Sequence, residues 1–286
     1  MCVIFWRVDD TEQASPYRFV LLANRDEFFA RPAVPAHFWE GETVLAGKDV
    51  LKGGTWLGIT KTGRFAAVTN LRTDLKISEL SRGTLVAEYL EGDSSPSQFA
   101  AELSAKGSDY GGFNLVLADL RLGKPVEMAY CTNCKDVEKV QDLRSGTCYG
   151  LCNEWLEHPT KKLLYGKDRL QNLIQKNAPK DELIEQMLAL AADETSHFPD
   201  DKIPALPAFF PKEWRQWSSS LFIKGVQRKG EPESAYGTRT TTVILVEKNG
   251  HITFVEKTLE EPIVIGECKW KIRRHEFELQ EKAAHS

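Results

Sequence analysis

The chain contains no run approaching the roughly 18 apolar residues that a membrane-spanning helix needs. Its longest early apolar stretch, Val3-Ile4-Phe5-Trp6, is interrupted by Arg7 and Asp9-Asp10. That is too short for the apolar region of a secretory signal. The amino-terminal stretch is also poor in Arg and Ser, unlike a mitochondrial presequence. A cytoplasmic protein with no transmembrane segment is therefore the expectation. An excess of positive charge is missing as well: the formal net charge is −4. This argues against a nucleic-acid partner, whose phosphates have to be neutralised by basic residues. Internal repeats, domain linkers and the Cys-Pro dipeptide are absent, and the six His are scattered.

What is present suits one soluble domain. The 286 residues are 42% hydrophobic and 27% charged, so a sizeable core needs no covalent staples. Six cysteines occur, and without a secretory route disulfides are not expected. Cys131-x-x-Cys134 followed by Cys148-x-x-x-Cys152 has metal-like spacing. The same residues read better as the ends of strands, so no metal site is expected.

Along the chain, Cys2 to Val8 and Tyr17 to Ala23 read as paired strands. The chain is expected to leave the second strand at Asn24 and to break regular structure at Arg31-Pro32 through Pro35. Further strands are expected at 43–46, 55–60, 65–69, 113–120, 126–130, 148–151, 240–247, 251–258 and 269–279. Helices are expected at 82–90 after Ser81, at 96–105 from Pro96, at 160–176 and at 180–192. The segment from about 198 to 230 mixes Pro with Phe209, Phe210, Trp214, Trp217 and Phe222. It reads as an ordered flap over the body of a single domain spanning 1–286. The order of elements fits an α+β fold, a four-layer αββα sandwich of two antiparallel sheets.

The chemistry gathers at the start of the chain. Were Met1 removed, Cys2 would carry a thiol beside a free α-amino group of pKa roughly 7.7–8.0, a natural general base. A hairpin brings the end of the second strand to the start of the first, and so sets Arg25 and Asp26 beside Cys2. Asn70 and Asn153 lie at predicted strand ends and offer N–H groups to an oxyanion. Arg239 could pair with an acidic ligand group. Gly53-Gly54 reads as a plain loop, and Trp56 as core.

Several segments are distinctive in combination: Asn24-Arg25-Asp26-Glu27 within 17–32, Gly53-Gly54-Thr55-Trp56-Leu57-Gly58-Ile59, Gly112-Phe113-Asn114-Leu115, Tyr149 to Asn153, and Tyr236-Gly237-Thr238-Arg239. Together they resemble the transport and Golgi organisation protein 2 family, also called the NRDE family, from Cys2 to about Glu278. The resemblance implies an N-terminal-nucleophile-hydrolase-like fold. It also implies links to haem trafficking, lipid homeostasis, Golgi organisation and secretion, with association to mitochondria or the Golgi, and no settled reaction. The expected function is a carrier for a small hydrophobic anionic ligand, haem or an acyl compound. Haem would be cargo, and no cofactor is required. Its ligand contacts would come from Asn24, Arg25, Asp26, Glu27 and Arg239.

The alternative is an N-terminal cysteine amidohydrolase or thioesterase. The pattern is similar to that of the cysteine amidohydrolases that include bile-salt hydrolases and penicillin V acylases. By that likeness Cys2, Asp26, Asn70 and Asn153 would be catalytic. The likeness fails at one Arg, where Ala23 stands, and a later Arg has only Lys161 or Lys162 as counterpart.

Overall fold

The structure is a computed structural model that describes residues 2–10, 15–71, 80–135, 137–203, 213–228 and 230–281. Its strands form two antiparallel sheets. The first contains β1 (Val3–Val8), β2 (Tyr17–Phe28), β10 (Cys148–Leu151), β11 (Val226–Arg228), β12 (Glu231–Glu247), β13 (His251–Leu259) and β14 (Trp270–Glu278). Its order is β10-β1-β2-β12-β13-β14, with β11 paired to β12. The second sheet runs β3-β4-β5-β6-β7-β8-β9. Its strands are Ala33–Phe38, Val44–Asp49, Leu57–Thr60, Arg64–Asn70, Phe113–Asp119, Glu127–Thr132 and Val140–Asp142.

Three apolar clusters divide these sheets and helices into layers. Side chains of a strand alternate between faces, and the continuous apolar run Phe19 to Ala23 supplies both faces of β2. Val20 and Leu22 pack with Leu163, Leu170 and Ile174 of α3 (Lys161–Gln175) and with Leu183 and Met187 of α4 (Lys180–Ala191). Phe19, Leu21 and Ala23 meet Leu57, Ile59, Phe65 and Tyr130 of the other sheet. The outer face of that second sheet packs Ala66, Val68 and Leu115 against Leu85, Tyr89 and Leu103. Those three belong to α1 (Arg82–Glu91) and α2 (Pro96–Lys106). The result is the αββα sandwich expected.

Local signals set the helix starts. Ser81 accepts from the Gly83 N–H, and Ser95 with Gln98 forms a capping box behind Pro96. α3 draws its cap from a distant segment: the Lys161 N–H donates to Asp200 at 2.6 Å.

Three expectations fail. β2 does not end at Asn24; it continues to Phe28 because β12 pairs with it as far as Tyr236. The Pro-rich stretch after Arg31 becomes β3, an edge strand, where Pro35 leaves no ladder donor missing. The 198–230 segment is no simple cover, for Trp214, Leu221 and Ile223 are core residues under the first sheet. Residues 204–212 of that segment, with Phe209 and Phe210, lie outside the described residues, as do Arg72 and Thr73. No helix among the described residues is long and apolar enough to cross a membrane.

Candidate functional site

The strand register assembles the site. Val3 pairs with Asn24, and Ile4 pairs with Leu151. Continuing those ladders places Cys2 between Arg25 on one side and Asn153 on the other. β2 then outruns β1, and Asp26, Glu27 and Phe28 are paired only to β12.

Alternation divides the four motif residues between two layers. Asn24 and Asp26 face the α3/α4 layer. Asn24 Nδ2 donates to Ala191 O at 2.8 Å and Leu221 O at 2.9 Å, and its Oδ1 accepts from the Thr241 hydroxyl at 2.6 Å. Both amide hydrogens are spent, so Asn24 acts as a strut and not as the ligand contact expected. Asp26 Oδ1 accepts from the Thr238 hydroxyl at 2.6 Å, and the Asp26 carbonyl accepts from Tyr236 Oη at 3.1 Å. Burial raises the Asp26 pKa, while the charge of Lys162 and the Thr238 hydrogen bond oppose the rise. Lys162 is itself buried on α3 and donates to Ser220 O at 3.1 Å. Of the two candidate lysines, it is the one that shares the layer of Asp26; Lys161 Nζ donates to Pro199 O instead.

Arg25 and Glu27 face the space between the sheets. The Arg25 guanidinium lies 4.2 Å from the Trp56 ring centroid. Its ion-pair contacts to Glu27 and Asp49 are long, 3.9 Å each. Arg25 is 6% exposed, and its Nη1 has no hydrogen-bond partner among the described residues. Burial lowers its pKa, against the pull of Glu27, Cys2 and Asp49. Asp49 is held more firmly by Arg31, at 2.7 Å.

Cys2 lines a narrow cavity with Ile4, Arg25, Trp56, Val68 and Thr242. It has room for about one water molecule. Burial raises the Cys2 pKa, with the charge of Arg25 acting in the opposite direction.

The remaining predicted residues divide. Asn153 is buried, and its Nδ2 donates to the Asn70 carbonyl at 2.5 Å. The Asn70 side chain is exposed. Asn70 thus offers the site its carbonyl and not the amide expected. Arg239 sits in the bulge where the β2–β12 register shifts. Its guanidinium donates to the Phe28 and Arg31 carbonyls and to Glu261, the last at 2.7 Å. Those bonds fix the end of β2 and make Arg239 a brace.

Gly54, at φ +68°, lies so close to α1 that a Cβ would fall 2.4 Å from the Gly83 carbonyl carbon. This contact accounts for Gly54, whereas Gly53 has open space around it and shares only the positive φ, at +67°. Cys131 and Cys134 lie at the end of β8, whereas Cys148 and Cys152 flank β10 in the other sheet.

Three contributors were missed by sequence reasoning: Asp49, Asn114 and Arg82. Asn114 Nδ2 donates to Glu154 O at 3.0 Å and accepts at Oδ1 from Tyr130 Oη at 2.7 Å, which steadies the loop carrying Asn153. Its place in Gly112-Phe113-Asn114-Leu115 was the available signal. Arg82 donates to Gly112 O at 3.0 Å; no sequence pattern marked it.

A sequence-family profile described as Transport and Golgi organisation 2 matches residues 1–261. The chain is 37% identical over 288 residues to the Transport and Golgi organization protein 2 homolog of Bos taurus, covering 98% of this chain and 100% of that protein. It is 34% identical to the Homo sapiens homolog at the same coverage. The Drosophila melanogaster Transport and Golgi organization protein 2 is 29% identical, covering 91% of this chain and 92% of that protein. Among solved structures, a Caenorhabditis elegans N-acylethanolamine-hydrolyzing acid amidase ortholog aligns with a TM-score of 0.48 and 10% identity, over 85% of this chain and 92% of that one. A C2A mutant of conjugated bile acid hydrolase from Clostridium perfringens aligns with a TM-score of 0.42 and 13% identity, over 100% of this chain and 99% of that one. By its sequence along nearly its whole length, this chain belongs to the Transport and Golgi organisation 2 family.

Proposed function

We propose that the protein is an intracellular carrier for a hydrophobic anionic ligand, haem or an acyl compound, whose acidic group is held by Arg25. One observation carries this reading. A buried guanidinium normally satisfies its donors, because an unpaired buried polar group costs free energy. Arg25 has long ion pairs, a stacked aromatic and an unpartnered Nη1. An incoming carboxylate supplies the missing acceptor through a charge-assisted hydrogen bond. The cavity beside Cys2 has room for about one water molecule, so it admits no more than one oxygen of the acidic group, and the rest of the ligand lies outside. The links to haem trafficking, lipid homeostasis, Golgi organisation and secretion belong to this proposal, as does residence in the cytoplasm with association to mitochondria or the Golgi.

The test is a titration of purified protein with haem, followed by absorbance, and with a fluorescent fatty acid, for wild type and Arg25→Met. Saturable binding of one ligand, weakened at least about ten-fold by the substitution, is expected. Equal affinity of both proteins, or no saturable binding of either probe, refutes the reading.

A second reading rests on Cys2 itself. The place of Cys2 in the ladder, between Arg25 and Asn153, supports an N-terminal nucleophile for amides or thioesters. In that reaction Sγ adds to the acyl carbon, and the leaving amine or thiol departs with the thiol proton. Water then releases the acid and restores Cys2. The α-amino group of Cys2 would be the base. An intact mass showing that Met1 is retained would exclude it; a free Cys2 acylated by an electrophilic ester would support it.

A further inference from the structure

The loop from Asp49 to Trp56 joins two residues of the site, yet it turns its most apolar side chains outward. Val50 is 55% exposed and Leu51 62% exposed. Val34, on the neighbouring strand and paired with Lys48, is 40% exposed. A loose loop could fold such groups back, but this one is pinned. Asp49 Oδ1 accepts from the Leu51 and Lys52 N–H groups at 3.0 Å each. The Val50 N–H donates to Pro32 O at 3.2 Å, the Asp49 N–H to Gly54 O at 3.1 Å, and the Gly53 N–H to Asp49 O at 3.0 Å. The contact of Gly54 with Gly83 anchors the far end. The exposure of Val50 and Leu51 is therefore built into the backbone.

The exposed charges that flank the tip along the chain are basic. Lys48 and Lys52 are exposed on either side of Val50 and Leu51. The nearby carboxylates face arginines, Asp49 and Glu27 toward Arg31 and Arg25, and Glu261 toward Arg239. A protein of net charge −4 thus presents a local patch that is both apolar and basic. Aliphatic side chains flanked by lysines suit a bilayer surface bearing anionic lipid: the aliphatics enter the acyl boundary and the ammonium groups reach the headgroups.

The geometry points to the Val50-Leu51-Lys52 tip as a docking element for anionic membranes, seated at the rim of the Arg25 site. Asp49 links the two, since one carboxylate oxygen holds the tip while the other faces Arg31 and Arg25. Docking would bring the mouth of the site to the lipid surface. It goes beyond the ligand reading and does not depend on which ligand is carried.

The experiment is flotation of the full-length protein with phosphatidylcholine vesicles, with and without phosphatidylserine. Wild type is expected to float with the phosphatidylserine vesicles and to be released by high salt. Leu51→Asp, a change at an exposed position, is expected to reduce partitioning about ten-fold or more. Lys52→Glu is expected to reduce it on anionic vesicles only. Circular dichroism confirms that each variant is folded, and haem or fatty-acid titration of Leu51→Asp reads the ligand site separately. No flotation of wild type, or equal flotation of Leu51→Asp, overturns the proposal. So does a tip that captures a protein partner while wild type ignores anionic vesicles.

Discussion

Glu256 offers a direct test of how the two sheets are held together. It lies on β13 opposite Thr242, is 1% exposed, and points into the layer between the sheets. Its Oε1 accepts from the Ala36 N–H of β3 at 3.0 Å, a tie from one sheet to the other. Burial pushes its pKa from 4.5 up to about 7, against the Ala36 hydrogen bond and the charges of Arg273 and Arg25. Because the folded pKa is the higher one, the unfolded chain loses this proton first as pH rises. The stabilising contribution is therefore complete below about 4.5 and is lost as pH climbs through about 7. At 1.36 kcal/mol for each pH unit, that interval amounts to about 3 kcal/mol. Glu256→Gln keeps an oxygen for Ala36 but cannot ionise. Urea unfolding of both proteins across this pH range isolates the effect, since every other titrating group cancels in the difference. The variant should gain about 3 kcal/mol on the wild type between acid and alkaline pH. Stability curves that run parallel would refute the buried-carboxyl argument.

Other outcomes follow from the same contacts. Asn24→Ala removes three buried hydrogen bonds and strands two carbonyls and the Thr241 hydroxyl; urea denaturation should show a loss of about 3 kcal/mol. Gly54→Ala has to accommodate both φ +68° and a 2.4 Å approach to Gly83; a loss of about 2–4 kcal/mol in the same assay is expected. Cys2, with its pKa raised by burial, should be alkylated by iodoacetamide more slowly at neutral pH than in the denatured chain, with a rate that still climbs above pH 9. Peptide mass mapping separates it from the exposed Cys268, and equal native and denatured rates would contradict the assignment.

The sequence disclosed those parts of the fold whose signals are local. Four helices start at a Ser, a Pro or the onset of an apolar stripe, and the hairpins β5–β6 and β12–β13 turn at Gly63 and Gly250. β3 was hidden by Pro32 just before it and Pro35 within it. The true length of β2 was hidden because polar Asn24 to Glu27 resemble a turn. They form strand only because β12, more than two hundred residues later, completes their ladder. The site was legible to the same degree. Cys2, Arg25 and Asp26 follow from hairpin geometry. The separate uses of Asn24, Asn70 and Arg239 depend on carbonyls contributed by distant segments, and no local pattern announces those partners.

The alternation within β2 has a consequence for how the motif tolerates change. The side-chain period of a strand is two, so a one-residue slip reverses every facing. A single insertion just before Asn24 would not merely displace the motif. It would exchange the parity of its members, turning Arg25 and Glu27 under the helices and Asn24 and Asp26 into the cavity. Length carries information here in the same sense as chemistry: the four letters have meaning only in one reading frame of the sheet.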